Sequence, residues 1–415
     1  MKKKYIILIA LVVIMLVGLG LFYYLTTEKE EKLEEVVLTE EERVKLRLTD
    51  EERKNGITIK EKEKMIEEEK RKELEEKGKT PEEIKVVQIK KIIDKEIKFT
   101  VFSADNSKFL YFDPTNKEFY QSNTDGIGEQ VLTNAKFDNL YNVSWSPNRE
   151  KTVLTFSSDK GLTKKYHFFN LSSQEDIEYE DKYQNVTISY DGENVAYVFH
   201  DSAKDKYNLS VAKPDLSSWR KIRELGKEEI ETKWFSNNNL AVYSATTAFE
   251  EGQLDIYNVG EGADHYTFLS KRWGLNPLFS PDGKKVIFND NDTKNARFPI
   301  IWIAGVENKI EPRKLQLSTL VEKCAWAKDS VSIFCGIPEN YSNFFIQPDD
   351  YYKGKFVSKD SFYKIDTNSG EQKKLADFSQ FNKDYDVYKP LVSEDQKKMY
   401  FTRKHDGKFY GLIMP

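Results

Sequence analysis

Phe279-Ser280-Pro281-Asp282-Gly283-Lys284-Lys285-Val286-Ile287-Phe288 reads as a β-hairpin. In Ser-Pro-Asp-Gly the proline ring fixes φ, the aspartate bonds back to its own backbone, and the glycine takes the left-handed conformation that ends a tight turn. The apolar, β-branched run that follows is what a buried strand requires. Looser copies recur at a period of about 45 residues, the spacing of an array of propeller blades.

The copies begin at Ser103, Ser146, Ser189, Ser236, Ser280, Ala327 and Ser393, giving seven turns. A large apolar residue precedes each one: Phe102, Trp145, Ile188, Phe235, Phe279, Trp326 and Val392. These should end the innermost strand of a blade and wedge against the next. A second and a third strand follow every turn, and six units supply a short fourth. The seventh stops at Pro415 first, so the ring needs a strand from the other end of the chain. Ile84 to Ile89 is β-branched and correctly spaced for that role, although Thr80-Pro81-Glu82-Glu83 could instead start a helix there. The expected fold is all-β, a seven-bladed propeller over 84–415.

At these residues the chain resembles the TolB-type, WD40-like propeller repeat, whose unit carries a W/F-S-P-D-G turn followed by an apolar strand. The match is tight at Ser280–Gly283, good at Ser189–Gly192 and looser elsewhere. Asn106 and Asn239 keep a residue that tolerates left-handed backbone, while Arg149 and Gln396 depart from the pattern. The motif is structural, so the resemblance implies a fold and no catalytic residues. TolB proper is a soluble periplasmic protein with a small N-terminal domain. Here other segments stand in that place, so a role in the Tol system is not implied.

Those segments are an uninterrupted apolar run from Tyr5 to Leu25, long enough to cross a bilayer, and a charged stretch after it. Met1-Lys2-Lys3-Lys4 before the run and Glu28, Glu30 and Glu31 after it place the N-terminus in the cytoplasm. The run ends in Phe22-Tyr23-Tyr24-Leu25 rather than in small residues, which favours an uncleaved anchor over a signal peptide. Residues 1–4 are thus read as a cytoplasmic tail, 5–25 as a single-pass transmembrane helix and 26–83 as a charged, partly helical stalk that cannot build a core. The propeller is expected outside the cytoplasm, at the cell membrane.

A net charge of −5 with interspersed signs gives no basic footprint, which argues against nucleic acid. The four His and two Cys residues show no metal-ligand spacing, and no cofactor is expected. The run Asn289-Asp290-Asn291-Asp292 lacks the spaced pattern of a calcium loop and reads as a polar loop. There is no G-x-S-x-G elbow for a hydrolase. Cys324 and Cys335 flank the sixth turn. With Phe334 as the expected partner of Cys324, two buried free thiols are the reading, and a disulfide is the rival.

The repeat is most broken in blade six, which is about 20 residues longer than its siblings between Cys335 and Ser361. The extra length carries Tyr341, Phe344, Phe345, Tyr351, Tyr352 and Phe356, and the neighbouring blade-joining loop offers Arg272 and Trp273. Blade geometry puts both on the face opposite the Ser-Pro-Asp-Gly turns. Exposed aromatics in a long loop suit a partner site; the rival is that they fold down and plug the ring mouth. The expected function is a non-catalytic module binding a protein or cell-envelope partner. The alternatives are a propeller enzyme of the lyase or cyclase kind, with its site at the channel mouth, and a structural spacer.

Overall fold

The structure, a computed structural model, describes residues 85–158, 163–226, 230–244, 247–260, 264–291, 297–307, 311–381 and 383–414, together with 35, 36, 65 and 68. The expected tail at 1–4 and membrane helix at 5–25 lie outside the described residues, as does nearly all of the stalk at 26–83. Among the described residues no helix is long and apolar enough to cross a membrane. The chain divides into two units, Met1–Val86 and Val87–Pro415. In the first, Glu35–Val36 pairs in parallel with Lys85–Val86.

The second unit is seven four-stranded antiparallel sheets, the blades of a propeller. Their innermost strands are Lys98–Phe102, Leu140–Trp145, Tyr183–Ile188, Ile230–Trp234, Pro277–Phe279, Cys324–Trp326 and Val387–Val392 in blades one to seven. The turn after each explains the repeat. Ser280 Oγ donates to Asp282 Oδ1 at 2.6 Å and accepts from the Lys285 amide at 3.0 Å, closing the hairpin from inside. The same pair of bonds recurs at Ser103, Ser146, Ser189 and Ser393. The fourth turn residue is left-handed in Asn106, Arg149, Gly192, Gly283, Ser330 and Gln396. Arg149 is held there by bonds to the Ser146 and Phe102 carbonyls, both at 3.1 Å, and Gln396 by one to Asp329 at 2.8 Å. Asn239 differs from expectation. It already belongs to the next strand, Asn239–Ser244, because this turn is tighter and the Asn239 amide bonds directly to Ser236 Oγ at 3.1 Å.

The core lies between the blades. Phe235 of blade four stacks on Phe279 of blade five with ring centroids 4.1 Å apart, and Trp326 Nε1 donates to the Leu278 carbonyl at 3.0 Å. These are the expected wedges.

The ring closes with both ends of the chain. Gln88–Ile93 pairs antiparallel with Phe409–Ile413 and becomes the fourth strand of blade seven. The closing strand therefore exists, shifted a few residues beyond Ile84 to Ile89. Its position follows burial: Ile89 and Ile93 turn into the core, and Lys91 turns out.

The free-thiol reading of the cysteines is corrected. Cys324 and Cys335 form a disulfide, their Cα atoms 4.1 Å apart. The Ala327 amide bonds to the Ser332 carbonyl, which fixes the register so that Phe334 faces Ala325 and Cys335 faces Cys324.

Candidate functional site

The chain between Ser332–Pro338 and Asp360–Asp366 folds down over the channel mouth. Its acids and amides tie it to three blades. The Ala248 amide donates to Asp349 Oδ2 at 2.8 Å, Asn291 Nδ2 to the Gln347 carbonyl at 3.0 Å, and Tyr351 OH to Asp386 Oδ1 at 3.0 Å. Tyr351 and Phe356 are buried on Leu320, with Tyr341 and Phe345 packed beside them. Tyr341 stacks on Phe356 at 5.3 Å between centroids. Phe344 stands apart: it is 81% exposed, resting edge-on against Phe345. Tyr352 is partly exposed, but its hydroxyl accepts from Asn276 Nδ2 at 3.3 Å beside Glu322, and burial pushes the phenol well up.

Arg272 is turned inward rather than out. Its Nη1 lies 2.6 Å from Asp290 Oδ2, and the guanidinium sits over the Trp302 ring. Trp273 is half-buried, its amide donating to Asp290 Oδ1 at 3.3 Å. Asn289 and Asn291 are likewise taken up by neighbouring chain, Asn289 Nδ2 bonding to the Thr319 carbonyl at 2.9 Å. The sequence-picked residues thus separate into a packed base (Tyr341, Phe345, Tyr351, Phe356), an inner brace (Arg272, Trp273) and an exposed tip (Phe344, Tyr352).

Beneath the insertion lies a buried ionic cluster that sequence reasoning missed. Lys323 Nζ is 2.6 Å from Asp386 Oδ1, 2.8 Å from Asp360 Oδ2 and 2.6 Å from Ser358 Oγ, with Lys323 fully withdrawn from solvent. Burial pushes the Asp360 carboxyl up, and the Lys323 charge opposes it. A lysine directly before the apolar Cys324-Ala325-Trp326 was the available signal.

Beside the capped half, the channel mouth stays open as a cavity of about 680 Å³. Lys98, Thr100, Tyr141, Lys389 and Lys404 line it, with Glu231 reaching in from blade four. Lys98, Tyr141, Glu231, Glu322 and Tyr388 all occupy the same repeat position, five residues ahead of the turn. Reading that position around the ring would have revealed the mouth. Burial lowers Lys404 to about 8, with repulsion from Lys323, and lowers Lys233 to about 8, with repulsion from Lys389. Burial raises the Glu322 carboxyl.

No family model matches this sequence, and no curated protein matches it. Solved structures do. An oligogalacturonate lyase in complex with manganese is 14% identical, with 79% of this chain and 91% of that one covered at a TM-score of 0.52. Oligogalacturonate lyase from Vibrio parahaemolyticus is 11% identical over 79% and 93%, at 0.53. The RRP9 WD40 repeats are 8% identical over 79% and 97%, at 0.51. At such identities the likeness is one of fold: this chain carries a seven-bladed propeller of the architecture those proteins share.

Proposed function

We propose that the chain is a membrane-anchored, extracytoplasmic propeller of the TolB-like kind that binds a protein of the cell envelope through the face built by the blade-six insertion, and that it is not an enzyme. The observation that carries this is Phe344, an almost fully exposed aromatic on a base of packed rings. A large side chain displayed on a rigid support loses little entropy on docking, the character of an interface anchor. Phe249, Phe298, Tyr352 and Val357, all exposed, belong to the insertion or to the loops that touch it. The anchor rests on the apolar run 5–25, and the disulfide suits an oxidising compartment.

Placing a photo-crosslinking residue at Phe344 in the intact protein, in its own membrane, tests the reading. A discrete protein adduct from 344, and none from Tyr190 on the opposite face, is the expected result. No adduct at 344, or the same adducts from both positions, would overturn it.

A second reading, a propeller enzyme working at the channel mouth, draws on the cavity and on Lys404, whose amine is partly neutral near physiological pH. Its discriminator is turnover of a substrate that Lys404→Met abolishes.

A further inference from the structure

The inner strands of blades one, three and seven bulge at one point of the repeat. Phe99, Asn185 and Lys389 precede Ser103, Ser189 and Ser393 by the same four residues and have φ of 56°, 50° and 45°. Left-handed backbone is strained for a phenylalanine or a lysine, and a bulge re-aims the side chain it carries. Phe99 and Lys389 both line the open cavity.

The charges around that cavity do not cancel. Glu96 is matched by Lys98 at 3.3 Å, and Asp406 by Arg403 at 3.1 Å. Lys389 and Lys404, and Lys233 close enough to Lys389 to be repelled by it, form no salt bridge among the described residues. The Lys404 amine donates to the Tyr351 carbonyl and lies against the Tyr351 ring. The carboxyls facing these three amines are Asp386, which already holds Lys323 at 2.6 Å, Glu322, whose carboxyl burial raises, and Glu231. Thr100 Oγ1, on the cavity wall, is buried without a hydrogen-bond partner. A surplus of cations and an unused hydroxyl facing a cavity of small-molecule size are complementary to negative charge.

We propose that the channel mouth binds a small carboxylate- or phosphate-bearing anion, held by Lys389 and Lys404 with a further hydrogen bond from Thr100. The three lysine amines are held below their ordinary range, and a bound anion would relieve that. The strained bulge at Lys389 is the means by which its amine is presented. The site does not use the exposed tip at Phe344, so either can fail alone.

The test titrates citrate and inorganic phosphate into the detergent-solubilised full chain by calorimetry, at constant ionic strength and neutral pH. Saturable binding of one or both is expected. Lys389→Met should weaken it about tenfold or more, the scale of a lost charged hydrogen bond, and Thr100→Val should weaken it less. Lys206→Met, which removes a rim lysine paired with Glu224, should leave it unchanged. Because Lys404 also braces the insertion, Lys389→Met is the deciding variant. No saturable binding of either anion up to about 10 mM, or equal affinity in Lys389→Met, overturns the proposal. Response to citrate alone or to phosphate alone supports it and fixes the group recognised.

Discussion

Lys323 Nζ stands 2.6 Å from Asp386 Oδ1, joining the residue just before the inner strand of blade six to the residue just before that of blade seven. The pair is sealed from water beneath Tyr351. Lys323→Met would leave two buried carboxylates without their cation, a loss of about 3–5 kcal/mol. Denaturant unfolding measures it, and limited proteolysis should show the insertion cut faster. An unchanged midpoint would mean that the cluster does not hold the insertion down.

The exposed tip and the buried base of the insertion should separate by mutation. Phe356→Ala should cost about 3–5 kcal/mol, because it opens a cavity under Tyr341 and Phe345. Phe344→Ser should stay within about 0.5 kcal/mol, since that ring buries little. Melting temperatures of the two variants check this. A large drop for Phe344→Ser would make the tip part of the core and remove it as a docking residue.

Gly283 lies at φ +71°, and a Cβ there would come within 2.8 Å of the Phe235 carbonyl oxygen of the preceding blade. Gly283→Ala should therefore destabilise by about 1–3 kcal/mol, from left-handed strain together with the close approach. Urea unfolding gives the number.

Lys404 sets a pH dependence. Its amine titrates at about 8 in the folded chain and at the ordinary lysine value when unfolded. Between those values the unfolded chain keeps a proton that the folded one lacks, so raising the pH favours folding. Lys233 acts in the same sense. Above pH 10 the raised tyrosines, such as Tyr166 at about 12, act in the opposite sense. Lys404→Met should therefore gain less stability between pH 8 and 10 than the unmodified chain. Parallel stability curves in that window would count against the lowered amine.

Reducing the Cys324–Cys335 bond should lower the melting temperature, because a short hairpin loses its cross-link, worth roughly 2–3 kcal/mol for a loop of this length. Alkylation without reductant, followed by mass measurement, should find neither thiol modified.

The blades were legible because the turn chemistry is local. A serine hydroxyl that needs Asp two residues on and an amide five residues on writes itself into adjacent positions, as at Ser280, Asp282 and Lys285. The disulfide was misread by one residue of register, although counting outward from the Ala327–Ser332 bond would have paired the cysteines. The insertion was found by its length, but which of its rings are buried depends on Leu320 and Asp386, which are remote in sequence. Lys389 and Lys404 gave no local sign, because their meaning arises only where blades one, two and seven converge.

The strand Gln88–Ile93 meets its neighbour in the ring only once Phe409–Ile413 has been synthesised, so the ring stays open until the seventh blade is made. During that wait an apolar ribbon could pair with the edge of another unfinished chain. Lys90 and Lys91, in the middle of Gln-Ile-Lys-Lys-Ile-Ile, place two like charges where such a stack would form. The strand that completes the ring thus carries its own guard against premature partners, and that guard matters most before the fold exists.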